Sequence, residues 1–229
     1  MSAGLLAVVV PAKDEEATIG ELLERISRVQ IPGYMLRTFV VDDGSADRTA
    51  EIARTRGATV IPHPANQGLG AALRTGLRAA VEAGADAVAY LDADLEYHPE
   101  DIPRLVEPVL AGRADYVLGS RFLNGARGMK LHRRLGNHAF TTLLRALARC
   151  PISDGQTGMR AFSKEAASRA EIIHDYNYAQ ILTLDLLRKG FRLEEVPVQY
   201  STRRYGLSFV NWCYPLKVLP AIWRELRTP

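Results

Sequence analysis

A mostly parallel α/β sheet with helices on both faces is the fold class this sequence predicts. Three observations lead there. Five short apolar runs alternate with four segments of helical spacing between residues 1 and 120, and alternation of that kind builds parallel sheets. The runs Leu5–Val10 and Ala87–Leu91 are continuous in apolar character, as in strands covered on both faces. The length of 229 residues, 47% hydrophobic and 24% charged, suits one folded domain with a sizeable core.

Leu5–Val10 is the first strand, stopped by Pro11. Ala17–Val29 follows as a helix, with Ile19, Leu22, Leu23 and Ile26 on one face. Arg37–Val41 is the second strand, and Asp47 caps a helix running to Arg56. Ala58–Ile61 is a short third strand, Leu69–Ala83 a helix ended by Gly84, and Ala87–Leu91 the fourth strand. Pro99 suits the first turn of a helix to Ala111, and Asp115–Gly119 is the fifth strand. Beyond Arg121 the pattern changes. A glycine-containing loop, Asn124–Lys130, leads to a basic amphipathic helix, Leu131–Arg149. Met159–Phe162 and Phe191–Val198 read as strands, with a helix over Tyr176–Lys189 between them. Residues 201–209 form a loop, and Val210–Arg227 an aromatic-rich helical tail broken by Pro215 and Pro220. Residues 1–120 thus read as a nucleotide-binding half, 121–209 as an acceptor-side half of the same domain, and 210–229 as an amphipathic tail.

The net charge of +3 hides an asymmetry. Residues 1–120 hold 11 Lys and Arg against 18 Asp and Glu, and residues 121–229 hold 18 against 8. A basic half points to an anionic partner such as a phosphate or a lipid head group. The two cysteines, Cys150 and Cys213, form neither a disulfide framework nor a metal-ligand spacing, which fits reduced thiols in a cytoplasmic protein. The Leu5–Val10 run is too short for a signal peptide. No stretch reaches the roughly 20 apolar residues of a spanning helix. A soluble or peripherally membrane-attached protein is expected.

Asp92-Ala93-Asp94 ends the fourth strand. Two carboxylates one residue apart at a strand tip form a hard-oxygen site suited to Mg²⁺ or Mn²⁺ carrying a phosphate-bearing ligand. Ligands of open α/β sheets bind beyond the strand ends. An Asp-x-Asp pair also serves as a cap or a solvated turn. After strand one, Pro11-Ala12-Lys13-Asp14-Glu15-Glu16 places carboxylates at the same edge, or decorates a helix N-terminus for its dipole. After strand two, Asp42-Asp43-Gly44-Ser45 offers a carboxylate that can accept from a ring N–H of uracil or guanine, or an Asx turn. After strand three, Asn66-Gln67-Gly68-Leu69-Gly70 brings glycines before a helix, where a phosphate can approach backbone N–H groups, or simply a tight turn. The five histidines, His63, His98, His132, His138 and His174, show no ligand spacing.

Taken in order, these motifs resemble those of family 2 glycosyltransferases, and are most similar to the dolichyl- or polyprenyl-phosphate mannose or glucose synthase group. The resemblance covers residues 5–209. It rests on Val9-Val10-Pro11-Ala12, Glu15-Glu16, Val41-Asp42-Asp43-Gly44-Ser45, Asp47 and Thr49, Asn66-Gln67-Gly68, Leu91-Asp92-Ala93-Asp94, Gly119-Ser120-Arg121-Phe122, Gly158-Met159-Arg160 and Glu195-Val196-Pro197. It implies a single-domain GT-A fold, Rossmann-like, and inverting transfer of a hexose from a GDP- or UDP-linked donor. Pro11, Ala12, Glu15, Asp42, Asn66, Gly68, Asp92 and Ala93 would bind the nucleotide. Asp92, Asp94 and Glu96 would hold Mg²⁺ or Mn²⁺. Arg121, Arg133 and Arg203 would line an acceptor-phosphate site, since a guanidinium fork matches phosphate bidentately. Asp94, Asp92, Arg121 and Asp154 would carry the chemistry, Asp154 being the remaining candidate for a base or else a turn residue.

The resemblance further implies a lipid-phosphate acceptor reached from the cytoplasmic membrane face, no nucleic-acid partner, and leaves room for a homodimer. A soluble acceptor is the alternative. Three positions depart from the family pattern. Lys13-Asp14 replaces an aromatic-Asn pair, Phe209 stands where a Lys is common, and Tyr178-Ala179-Gln180 lacks the usual acidic residue. A sugar-nucleotide pyrophosphorylase would need a Gly-rich basic loop after strand one, where this chain has Pro-Ala-Lys-Asp-Glu. A non-catalytic nucleotide-binding module would have no reason to keep Asp92, Asp94 and Glu96 together.

Overall fold

The computed structural model describes residues 3–125, 129, 131–173 and 179–202, the side chains of 131–133 aside. The chain forms β1 (Gly4–Ala12), α1 (Ile19–Ser27), β2 (Tyr34–Asp42), α2 (Thr49–Thr55), β3 (Thr59–Pro62), α3 (Leu69–Glu82) and β4 (Ala87–Leu91). It continues through α4 (Ile102–Leu110), β5 (Tyr116–Ser120), α5 (Leu131–Ala148), β6 (Met159–Ser163), α6 (Lys164–Arg169), α7 (Ala179–Arg188) and β7 (Leu193–Pro197). One seven-stranded sheet has the order β3-β2-β1-β4-β6-β5-β7.

Continuous apolar runs place β1, β4 and β5 in the middle of the sheet, where each is buried on both faces. One core layer joins Leu6, Val8 and Val10 to Ile19, Leu22 and Ile26 of α1 and Leu105 of α4. The other joins Val9, Val88 and Tyr90 to Leu73 and Leu77 of α3 and Leu182 of α7. β2 starts three residues before its apolar run. Its first half, Tyr34–Thr38, pairs with Gly4–Val8 of β1 while Met35 and Arg37 face solvent. That half has the period of two expected of a partly exposed strand.

The segment expected as one helix from Pro99 begins as a tight 3-10 turn, Pro99–Asp101, and becomes α-helical at Ile102. The short helix α6 was not expected. Ser163 caps it, its hydroxyl accepting from Ala166 N at 3.1 Å. The expected helix Tyr176–Lys189 is described from Ala179, and the tail lies outside the described residues. Among the described residues no helix is long and apolar enough to cross a membrane.

β6 runs antiparallel to both β4 and β5. The other strands all run one way. The strands after residue 121 are therefore interleaved with those before it: β6 lies between β4 and β5, and β7 lies outside β5. Six strand C-termini and the N-terminus of β6 share one edge of the sheet. Residues 11–16, 42–47, 63–68, 92–97, 120–122 and 153–158 are carried to that edge by chain direction alone.

Candidate active site

The edge is built from loops that bond to one another. Asp43 N–H donates to Ala12 O at 2.9 Å, joining the ends of β1 and β2. Asp43 Oδ1 then accepts from Gln67 N at 2.9 Å and contacts His63 Nδ1 at 2.7 Å, while Oδ2 accepts from Gly68 N at 2.8 Å. The far ring nitrogen of His63 lies 3.0 Å from Thr75 Oγ1 of α3. Gly44, at φ 71°, lets this loop approach the next one: a Cβ there would come within 2.7 Å of the Ala65 carbonyl carbon. The sequence motif contained Asp43 but gave it no role. Its burial among three donors makes it the clasp of the loops that follow β1, β2 and β3.

Gly68 N–H donates to Asp43 Oδ2 and to Asn66 Oδ1. The positive φ of Gly68, 95°, serves the turn into α3. Asp42 is buried, and its Oδ1 accepts from Ser45 N at 3.1 Å. Its Oδ2 accepts no hydrogen bond from the described residues. Pro11 and Ala12 end β1 beside it, in the register Ala12–Asp42. Glu15 Oε2 accepts from Thr18 Oγ1 at 2.8 Å, and Glu15 N donates to Thr49 Oγ1 at 2.8 Å. Lys13 Nζ bridges Asp14 Oδ2 at 2.7 Å and Gly44 O at 2.9 Å. The departure from the aromatic-Asn pair is thus a loop tether.

Asp92 and Asp94 are half-buried at the tip of β4, on either side of the buried Ala93. Asp92 Oδ1 accepts from Tyr90 Oη at 2.6 Å, and Asp94 Oδ1 from Glu96 N at 3.0 Å. Gly158 faces Asp92: a Cβ at 158 would overlap Asp92 Oδ2 and lie 2.8 Å from its Cγ. Glu96 is turned into the protein and buried. Among the described residues no three carboxylate, imidazole or thiol side chains form a group able to hold one ion. Asp92 and Asp94 are half-exposed and Glu96 is buried; two half-exposed carboxylates suit Mg²⁺ or Mn²⁺ sharing its shell with ligand phosphates.

Arg121 and Asp154 meet each other. Arg121 Nε donates to Asp154 Oδ2 at 2.6 Å, its Nη2 to Asp154 Oδ1 at 2.8 Å, and its backbone N–H to Asp154 Oδ2 at 3.1 Å. Asp154 is fully buried, and Glu195 holds its loop by accepting from Ser153 N and Asp154 N. Both Asp154 oxygens are engaged by one guanidinium, so in this structure the carboxylate is an ion-pair partner. Arg121 is buried, and its fork is engaged by the same pair. Arg133 lies in the first turn of α5 with its side chain outside the described residues, as is Arg203.

Tyr97 packs against this pair, with the Arg121 guanidinium 5.9 Å from its ring and 5.6 Å from that of Tyr200. Tyr97 Oη accepts from Gly158 N at 2.7 Å. Burial raises the Tyr97 pKa above its ordinary value, Arg121 opposing and Asp154 and Asp92 adding. Burial pulls the Arg121 pKa down, but Tyr97 and Asp154 hold it above its usual value. His98 Nε2 lies 2.8 Å from Ser201 Oγ and ties the loop after β4 to Ser201.

A family model described as glycosyl transferase family 2 matches residues 7–170. The chain belongs to this family. The glycosyltransferase is 35% identical over 204 residues to a dolichyl-phosphate hexose transferase of Haloferax volcanii, covering 86% of this chain and 83% of that one. It is 28% identical over 230 residues to a UDP-N-acetylglucosamine–dolichyl-phosphate N-acetylglucosaminyltransferase of Methanococcus voltae, covering 91% and 90%. Among solved structures it is similar to glucosyl-3-phosphoglycerate synthase of Mycobacterium tuberculosis in complex with Mn²⁺ and UDP-glucose. There the TM-score is 0.76 at 26% identity, over 99% of this chain and 80% of that one. The fold and the transferase class expected from the sequence are those of these proteins.

Proposed function

We propose that this glycosyltransferase moves a hexose, with inversion, from a GDP- or UDP-linked donor to a polyprenyl-phosphate-type acceptor. The observation that carries the reading is the pair Asp92 and Asp94 at the tip of β4, with Gly158 leaving space for Asp92, on the same edge as Asp42. Asp42 Oδ2 would accept from the base, with Pro11, Ala12 and Glu15 around it. Asp92 and Asp94 would hold the cation. A bound Mg²⁺ or Mn²⁺ supplies neutralisation of the charge that develops on the leaving diphosphate. The basic half would orient the acceptor, through Arg133, Arg203 or both, and bring its nucleophilic oxygen to the anomeric carbon. A phosphate acceptor is already ionised near neutral pH, which fits a site whose one candidate base is locked in an ion pair.

The names of the two dolichyl-phosphate relatives support a lipid-phosphate acceptor. A second reading, a soluble phosphorylated acceptor, is supported by solved relatives named for glucosyl-3-phosphoglycerate synthesis. Calorimetric titration of UDP-glucose and GDP-mannose, with and without Mn²⁺, tests the donor and metal. Asp94→Asn is expected to remove the Mn²⁺ dependence, and unchanged metal-dependent binding in that variant sinks the assignment. Transfer assays with undecaprenyl phosphate and with 3-phosphoglycerate then decide the acceptor.

A further inference from the structure

β2 is longer than the strand beside it. β1 pairs with all of Tyr34–Asp42, whereas β3 pairs only with Phe39–Asp42. Among the described residues no strand lies against the other side of Tyr34–Thr38. An edge of that kind presents main-chain N–H and C=O groups to whatever lies alongside. What lies alongside is a cavity of about 620 Å³, at the opposite end of β2 from Asp42.

The cavity has apolar walls, from Leu23 and Ile26 of α1, Val29 and Ile31 after it, and Leu36 and Ala58. No Asp or Glu lines it. Arg56 adds a cation, shared with Glu24 at 3.1 Å in an ion pair that is nearly half exposed. On the other face of β2 the Arg37 guanidinium stands 5.0 Å from the Phe39 ring, and Arg37 Nε donates to Thr59 Oγ1 at 3.4 Å. Arg37 has no carboxylate partner among the described residues. Met35, two residues away on the same face, is 63% exposed.

We infer that Tyr34–Thr38 is a strand-addition site for an extended segment of a partner protein, apolar at alternate positions and acidic between them. Such a segment continues the sheet in line with β3. Main-chain hydrogen bonds to β2 give it affinity, and pockets for alternate side chains give specificity. Successive side chains of a strand point to opposite faces. Those on the side of Tyr34, Leu36 and Thr38 enter the apolar cavity. Those between them meet Met35 and Arg37, where a carboxylate finds its counter-charge. Two other occupants fit less well. Residues 203–229 of this chain carry five Lys and Arg against one Glu, the wrong sign for Arg37 and Arg56. A second copy would bring the same edge, recessed between the same 29–32 loop and 56–58 turn and carrying the same arginines. Sheet edges are commonly blunted by charge. Arg37 does so against basic strands and admits acidic ones. The inference lies outside the glycosyl-transfer site and is independent of that reading.

The test titrates three end-blocked pentapeptides into the full chain by calorimetry: Val-Glu-Val-Glu-Val, Val-Lys-Val-Lys-Val, and the acidic peptide N-methylated at every residue, which cannot donate to a ladder. The acidic peptide is expected to bind with a Kd below about 1 mM, and the other two at least about tenfold more weakly. Hydrogen exchange of residues 35–38 is expected to slow when it binds. Arg37→Glu is expected to reverse the preference between the two charged peptides. Ser27→Trp, which places an indole in the cavity from an exposed position, is expected to abolish binding. Both variants are expected to keep the wild-type thermal transition. No binding of the acidic peptide at millimolar concentration, or equal binding of all three, overturns the inference. Binding that both variants leave unchanged places the peptide elsewhere and overturns it too. A wild-type dimer in sedimentation velocity that Ser27→Trp dissociates makes a second copy the occupant, and the partner-peptide assignment falls.

Discussion

Arg121 and Asp154 form a bidentate, buried ion pair, 2.6 and 2.8 Å long, that joins the end of β5 to the loop before β6. Either residue alone looks functional in the sequence. Together they satisfy each other, and Tyr97 and Tyr200 close over the guanidinium. The pair fixes the position of residues 153–158, and through Gly158 the space in front of Asp92.

Asp154→Asn is therefore expected to act on stability. Removing one partner leaves Arg121 charged and buried, which costs about 3–5 kcal/mol. Urea denaturation measures the loss. In the fraction that stays folded, nucleotide affinity is expected within a few-fold of wild type. A variant with wild-type stability and no turnover would restore Asp154 as a base.

Gly158→Ala is expected to act on the metal site. The new Cβ cannot coexist with Asp92 Oδ2 as placed, so the carboxylate or the loop must move. Overpacking of this kind costs about 1–3 kcal/mol. Nucleotide binding with Mn²⁺ should weaken well beyond nucleotide binding without it. Calorimetry with and without the cation reads the difference, and equal weakening in both arms would separate Gly158 from the metal site.

Asp43→Ala is expected to open the nucleotide-side loops. It removes the acceptor of Gln67 N, the partner of His63 Nδ1 and the shorter of the two bonds of Gly68 N at once. Hydrogen bonds to a charged group contribute about 1.5–3 kcal/mol each, so a loss of about 3 kcal/mol or more is expected by urea denaturation. Asp42→Ala removes only the Ser45 N contact within the protein. It should cost little stability while lowering nucleotide affinity by about 1–3 kcal/mol. If the two variants exchange these phenotypes, the roles assigned to the neighbouring carboxylates are reversed.

The parallel sheet was legible because its strands are continuous apolar runs, and Leu5–Val10 and Ala87–Leu91 can only be buried on both faces. The edge that carries the site followed from strand direction. The antiparallel placement of β6 was not legible. Met159–Phe162 reads as a strand, but nothing in four apolar-rich residues specifies the direction in which it pairs. The partners of charged groups were equally hidden. Arg121 and Asp154 are 33 residues apart, and only the return of the chain beside β5 brings them together. For the same reason Gly68, a plausible phosphate contact in the sequence, proved to be bonded by Asp43 from the preceding loop.

The alkaline limit of stability is set in part by Tyr97. Burial holds its hydroxyl pKa above the ordinary value of about 10, and burial does the same for Tyr116. The folded chain then binds these protons more tightly than the unfolded chain. Their contribution is complete below about pH 10 and is lost as pH rises beyond it, because unfolding releases protons. One such proton gives a slope of about 1.4 kcal/mol per pH unit. Tyr97→Phe removes that slope. It also lowers stability at pH 7 by about 1–3 kcal/mol, because Gly158 N–H loses its acceptor. Urea denaturation between pH 7 and pH 11 should show the variant and wild-type curves converging above about pH 10. Curves that stay parallel over that range would mean that Tyr97 titrates alike in both states, and that its burial is relieved before the chain unfolds.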